Sequence, residues 1–232
     1  MANNYRKRSG DRVDGRRIRS LNGFFNFIPY IMPHRNDACN YYQESFEITN
    51  ADRWFRQQRL NGYKGIGMLH LFIAAYVRAI AELPALNRFV VGRRVYARNS
   101  IEVVLTVKRS LAIDATETTI KVEFDPTDTI FDVYRKMNEE IEKIKTSDED
   151  NGTEEFANKF AKMPRFLIRF IIWLLKVGDY FGLLPKNLLD VSPFHGSMII
   201  TDLGSLGIGP IYHHIYNFGT LPVFISFGAK RK

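Results

Sequence analysis

The segment HGSMIITDLGSLGIGP at residues 195–210, followed by LPVFISFGAKRK at residues 221–232, decides how this chain reads. Met198-Ile199-Ile200 is a short apolar run, and Val223 to Phe227 is a second. Runs of this length, rich in β-branched and aromatic residues and bounded by glycine and proline, are the mark of buried strands. Gly204, Gly207 and Gly209 put a turn between them. Thr201 and Asp202 stand at the end of the first strand. The glycines give GxxGxG, which is not a phosphate-binding fingerprint and opens no obvious helix.

Working outward, the rest of the chain alternates strands with long helices. Residues 66–83 form a core helix with apolar residues all around it, among them Leu69, Phe72, Ile73, Val77 and Ile80. Such a helix is buried on most faces. Pro84 closes it. A hairpin is expected over Phe89 to Tyr96, turning at Gly92-Arg93. Ile101 to Val107 has Glu102 as its only charge and reads as a central strand. In Thr119 to Phe124, Ile120, Val122 and Phe124 share one face, so this strand is half exposed. After Asp125-Pro126-Thr127-Asp128, a helix carries Ile130, Val133, Met137, Ile141 and Ile144 as a core stripe. Residues 147–155 read as an acidic surface loop. Nearer the start, 41–49 is expected to be a strand, Asn50 a cap and 51–59 a helix. Pro29 is expected to break any helix in 18–32. The alternation indicates a mixed α/β sandwich.

The chain has 232 residues, 45% hydrophobic, with a formal charge of +8. Seven basic residues from Arg6 to Arg19 face only Asp11 and Asp14, so 1–17 reads as a flexible basic arm and 18–232 as the folded domain. No aromatic–basic interleaving of a nucleic-acid module accompanies the arm. The single cysteine, Cys39, allows no internal disulfide and fits a reducing cytoplasm. No signal peptide is evident. The segment 166–184 is apolar, but Arg169, Lys176 and Asp179 interrupt it, and a span needs about 20 mostly apolar residues. It is expected to be a buried helix hairpin or a cap on a subunit interface. An interfacial membrane helix is the lesser reading, its basic residues being few for a strongly cationic face.

No zinc-protease HExxH, no GxSxG elbow and no acidic pair beside His213-His214 is present, so neither a metal site nor a serine hydrolase is indicated. His70 reads as a hydrogen-bonded core residue. Cys39 lies near His34 without anything to orient the pair. His195 precedes Thr201 by six residues, about 20 Å when extended, and is not expected to serve it.

Four blocks resemble the catalytic domain of the dihydrolipoamide acyltransferases of 2-oxo acid dehydrogenase complexes. They are Phe46 to Asp52, Met68 to Asn87, Val95 to Val107 and Ser197 to Gly228. Chloramphenicol acetyltransferases share the order. The resemblance implies a chloramphenicol acetyltransferase-like α/β fold, a two-layer mixed-sheet sandwich with helices packed on it. It implies a homotrimer with sites between subunits, and coenzyme A or acyl-coenzyme A as substrate beside a small acyl acceptor. Thr201 takes the place of a family hydroxyl that stabilises the oxyanion, and Asp202, Gly204 and Gly207 fall near the coenzyme A channel. The family's base is a histidine in HxxxDG. No HxxxD follows Gly228 here, so against the family the chain reads as C-terminally incomplete. It has no lipoyl attachment site.

Two functions follow. One is coenzyme A-dependent acyl transfer from a thioester to a thiol or hydroxyl. The alternative is a non-catalytic trimeric scaffold or regulator. A peripheral membrane protein using the basic arm and 166–184 is a third reading.

Overall fold

The computed structural model describes residues 6–108, 117–146 and 163–231, apart from the side chains of 107–108, 117–118 and 144–146. It is a mixed α/β structure with two sheets. The smaller sheet holds β1 (Gly15–Arg17), β2 (Arg88–Val91) and β3 (Arg94–Arg98), antiparallel in the order β1-β3-β2. The larger holds β4 (Ile101–Lys108), β5 (Glu117–Phe124), β6 (Met198–Asp202) and β7 (Val223–Phe227), in the order β5-β4-β6-β7. β4 and β5 are antiparallel, while β6 runs parallel to both β4 and β7. The described helices are α1 (Gly23–Ile31), α2 (Thr49–Leu60), α3 (Met68–Glu82), α4 (Ile130–Thr146), α5 (Arg165–Phe181) and α6 (Lys186–Val191).

Alternation along the strands builds the core. Val103 and Leu105 of β4, Ile120 and Val122 of β5, and Met198 and Ile200 of β6 are all buried on one face. They pack against Ile73, Val77 and Ile80 of α3 and Val133 and Met137 of α4. Full burial of each such side chain is worth roughly 1.5–3 kcal/mol. Tyr76 of α3 donates its hydroxyl to the Ser197 carbonyl at 2.8 Å, fixing α3 against the start of β6. Thr129 and Asp132 cap α4 reciprocally: the Asp132 carboxylate accepts the Thr129 N–H at 3.0 Å.

The expected central strand, half-exposed strand, hairpin and two core helices are all present. Residues 147–155 lie outside the described residues. Five expectations differ. Asn50 does not cap α2 but is its second residue, the helix starting at Thr49, whose N–H is accepted by the Glu47 carboxylate at 2.7 Å. Residues 41–48 form no strand; Tyr41 packs edge-on against Tyr212 and Phe46 against Phe72, so ring contacts replace a ladder. Pro29 sits inside α1 instead of ending it, because it falls in the last turn and forfeits one bond, while Met32 N still reaches the Ile28 carbonyl at 3.1 Å. The basic segment is held from Asp11 onward: Arg12 is buried and β1 extends the smaller sheet. Residues 166–181 are helical, but as the single helix α5 in place of the expected buried hairpin, and its apolar face is exposed.

His70, in the first turn of α3, is buried as expected. Its Nδ1 accepts the Gly67 N–H at 3.2 Å, which only the unprotonated nitrogen can do. Burial lowers its pKa to about 4. Below the unfolded value near 6.5, the unfolded chain takes up a proton that the folded chain refuses. Stability is therefore expected to fall as pH drops from about 6.5 towards about 4, by on the order of 3 kcal/mol. Urea unfolding at a series of pH values checks this, and His70→Gln is expected to flatten the profile over that window.

Candidate functional site

The strand register that buries Ile200 turns Thr201 to the opposite face of the larger sheet. Thr201 is opposite Ser226 on β7, and Thr119 on β5 is opposite Thr106 on β4. Leu105 is opposite Ile200, so Thr106 and Thr201 are neighbours as well. Four hydroxyl residues thus form one row, Thr119–Thr106–Thr201–Ser226, across the whole sheet. At about 4.8 Å between strands the row is about 14 Å long. The adjacent row is Lys121–Val104–Ile199–Phe224. Lys121 gives a hydrogen bond to the Leu189 carbonyl at 2.6 Å, and burial under α6 lowers its pKa to about 8.

The β7 end of the row is spoken for. Ser226 Oγ accepts the Ile211 N–H at 3.1 Å, and His213 stacks flat on Phe224 with ring centroids 4.3 Å apart. Thr201 is half-buried and Thr106 exposed, so the middle of the row is the accessible part.

The other sequence-selected residues build the turn beyond Thr201. Asp202 accepts the Ser205 N–H on its carboxylate at 3.0 Å, and its carbonyl accepts the Ser205 hydroxyl at 2.8 Å. A Cβ on Gly204 would stand 2.8 Å from the Gly228 carbonyl oxygen, so only glycine allows the turn to close on the end of β7. Gly207 takes φ +74°, the left-handed conformation that ends the short helix Gly204–Leu206. The structure brings Thr201, Asp202 and Gly204 together at one strand end, with Gly207 at the far side of the same turn.

The histidines are placed elsewhere. His195 is buried, with Nδ1 2.7 Å from Ser192 Oγ and Nε2 3.4 Å from Asp179 Oδ2. The second distance is long for a hydrogen bond but within ion-pair range. Asp179, at the end of α5, is also bound by Arg12 at 2.7 Å, and Arg12 in turn binds Asp14 at 2.8 Å. Burial pushes the Asp179 carboxyl up, yet the contacts with His195 and Arg12 outweigh it and hold the group below its ordinary range. Arg98 completes the cluster, donating to Thr220 Oγ1 at 2.8 Å and lying 4.3 Å over the Phe89 ring. Ser192 is three residues from His195, a spacing that a local reading could have joined, whereas Asp179 is distant along the chain and no short-range signal links it to His195.

Asp179 of this cluster also lines a cleft of about 350 Å³ between α1, the turn joining β2 and β3, and the C-terminal half of α5. Arg35, Arg93 and Lys176 line it together with Pro29, Val91 and Tyr180. None of its lining residues comes from 198–207, so it is separate from the hydroxyl row. Cys39 Sγ contacts the Arg35 carbonyl at 3.5 Å. Among the described residues no group of three or more metal-ligating side chains gathers.

No family model matches the chain, and no curated protein does. Among solved structures it is similar to the crystal structure of a probable dihydrolipoamide acetyltransferase from Listeria monocytogenes 4b F2365. The identity is 15% and the TM-score 0.47, over 87% of this chain and 70% of that one. At this identity and TM-score, residue roles do not transfer from one structure to the other.

Removing one partner from a buried ion pair strands the other charge, at about 3–5 kcal/mol. Arg12→Ala is expected to cost that much in urea unfolding at neutral pH. Lys186→Ala, which removes an exposed helix-surface pair with Asp190, is expected to cost under about 1 kcal/mol. Comparable losses for the two would contradict the role given to Arg12.

Proposed function

We propose that this chain is an acyltransferase-like protein of the dihydrolipoamide acyltransferase kind, handling an acyl thioester of coenzyme A on the hydroxyl face of its larger sheet. The observation that supports it is the placement of Thr201. A half-buried hydroxyl ends a strand held between two parallel neighbours, and a glycine-closed turn follows it at once. A thioester carbonyl over Thr201 would find a fixed donor for the negative charge that develops on its oxygen. An acceptor thiolate or alkoxide adds to the carbonyl carbon, the tetrahedral oxyanion collapses, and the coenzyme A thiolate leaves. Asp202, Gly204 and Gly207 shape the turn where the nucleotide end would lie. On this reading the acceptor is a small thiol or alcohol. The chain works in the cytoplasm as a homotrimer whose neighbour closes the open side of the sheet.

A second reading is a non-catalytic, trimeric scaffold or regulatory homologue that keeps the coenzyme A channel. The engagement of the histidines favours it. His70 is turned to Gly67, His195 to Ser192 and Asp179, and His213 to Phe224 and His214.

One assay separates the two. The chain is mixed with acetyl-coenzyme A and dihydrolipoamide, and release of free coenzyme A is followed beside calorimetric binding of coenzyme A. Acyl transfer is expected above background, lowered about 100- to 1000-fold by Thr201→Ala and largely kept by Thr201→Ser. Binding without turnover selects the scaffold. Neither binding nor turnover overturns both readings.

A further inference from the structure

The described part of α5 leaves an apolar stripe uncovered. At 100° per residue, Phe166, Phe170, Trp173, Leu174 and Phe181 fall within an arc of about 100°. All five are exposed, Phe166 to 75% and Phe181 to 68%. Arg165, Arg169 and Lys176 form a second, narrower strip of about 40° directly beside it, and each is exposed. The opposite side of the helix, with Ile168, Ile171, Leu175 and Gly178, is half-buried against the protein. The helix has one acid, Asp179, and that is buried and bound to Arg12. The outward half of α5 is therefore aromatic and cationic, with no negative charge.

We propose that α5 is an anionic-lipid docking helix. It lies flat on a bilayer surface with its aromatic stripe at the headgroup–acyl boundary and its basic strip on lipid phosphates. Three observations select a lipid surface over another copy of the chain. The basic strip runs beside the apolar stripe, which complements a negatively charged plane and would oppose itself across a two-fold contact. The whole chain carries +8, which draws it to such a plane. Trp173 sits mid-helix among phenylalanines, the amphipathic ring that favours a membrane–water interface. The helix lies on the surface rather than crossing it: 17 residues extend about 25 Å, short of a core about 30 Å thick. No described helix is long and apolar enough to span. α1, whose Ile28 and Pro29 line the same cleft as Lys176 and Tyr180 of α5, exposes a second set of rings, Phe24, Phe25, Phe27 and Tyr30. The structure thus reverses the weighting drawn from sequence, where the basic residues of 166–184 were too few; Arg169 and Lys176, joined by Arg165 in one strip beside the apolar stripe, suffice. The proposal does not depend on acyl transfer.

The test uses Trp173 as the reporter. The chain has two tryptophans, so Trp54→Phe leaves Trp173 alone. This variant is titrated with phosphatidylcholine vesicles, with and without 30% phosphatidylglycerol. Emission is expected to move to the blue, and to be quenched by brominated lipid, with the anionic vesicles only. High salt is expected to weaken it. Arg169→Gln with Lys176→Gln is expected to weaken partitioning roughly 30-fold, with an unchanged thermal melt confirming that the fold is intact. Four results overturn the proposal: no shift with anionic vesicles, an equal shift with neutral ones, a lipid-free shift that grows with protein concentration and marks a second copy, or the same shift from Trp54 in a Trp173→Phe chain.

Discussion

The register of β6 between two parallel neighbours is the constraint on which the rest depends. Met198 and Ile200 face α3 and α4, and Ile199 and Thr201 face away. Side chains alternate with a period of two, so a slip of one residue would bury Thr201 and expose Ile200. Three contacts oppose that slip. Tyr76 holds the Ser197 carbonyl, Ser197 Oγ accepts the Glu102 N–H at 3.0 Å, and Leu203 N reaches the Phe227 carbonyl at 2.9 Å. The hydroxyl row is thus a consequence of core packing on the other side of the sheet.

A second constraint ties the ends of the chain together. Arg12 enters from the N-terminal segment, binds Asp179 at the end of α5, and joins it to the His195 that opens the β6 segment. Buried ions of opposite sign are tolerated only where each finds a partner. Here Asp14, Arg12 and Asp179 satisfy one another, and Arg98 leans on an aromatic ring and on Thr220. This cluster anchors α5 by its C-terminal end and by one side. The helix can be fixed in place while its aromatic stripe stays in solvent.

Much of this was legible along the chain. The strands at 101–107 and 119–124, the helix ending at Pro84, and the glycine turn after Thr201 follow from short-range signals: period-two alternation, all-round hydrophobicity and breaker residues. What was not legible depends on distant pairing. Residues 41–48 alternate well enough for a strand but find rings instead of a neighbour. Arg12 looks like one more charge in a basic run until Asp179 supplies its partner. The hydroxyl row was half visible, because Ile120, Val122 and Phe124 facing inward put Thr119 and Lys121 outward. Only cross-strand register aligns Thr119 with Thr106, Thr201 and Ser226.

The sheet face, its central hydroxyl and the turn beyond it form one connected surface, and the central claim is that a coenzyme A thioester rests there. Amide hydrogen exchange with and without acetyl-coenzyme A tests that most directly. The account predicts slower exchange in residues 201–208 and 226–229, with little change in α5. Slowing confined to the cleft between α1 and α5, or none in the turn after Thr201, would contradict it.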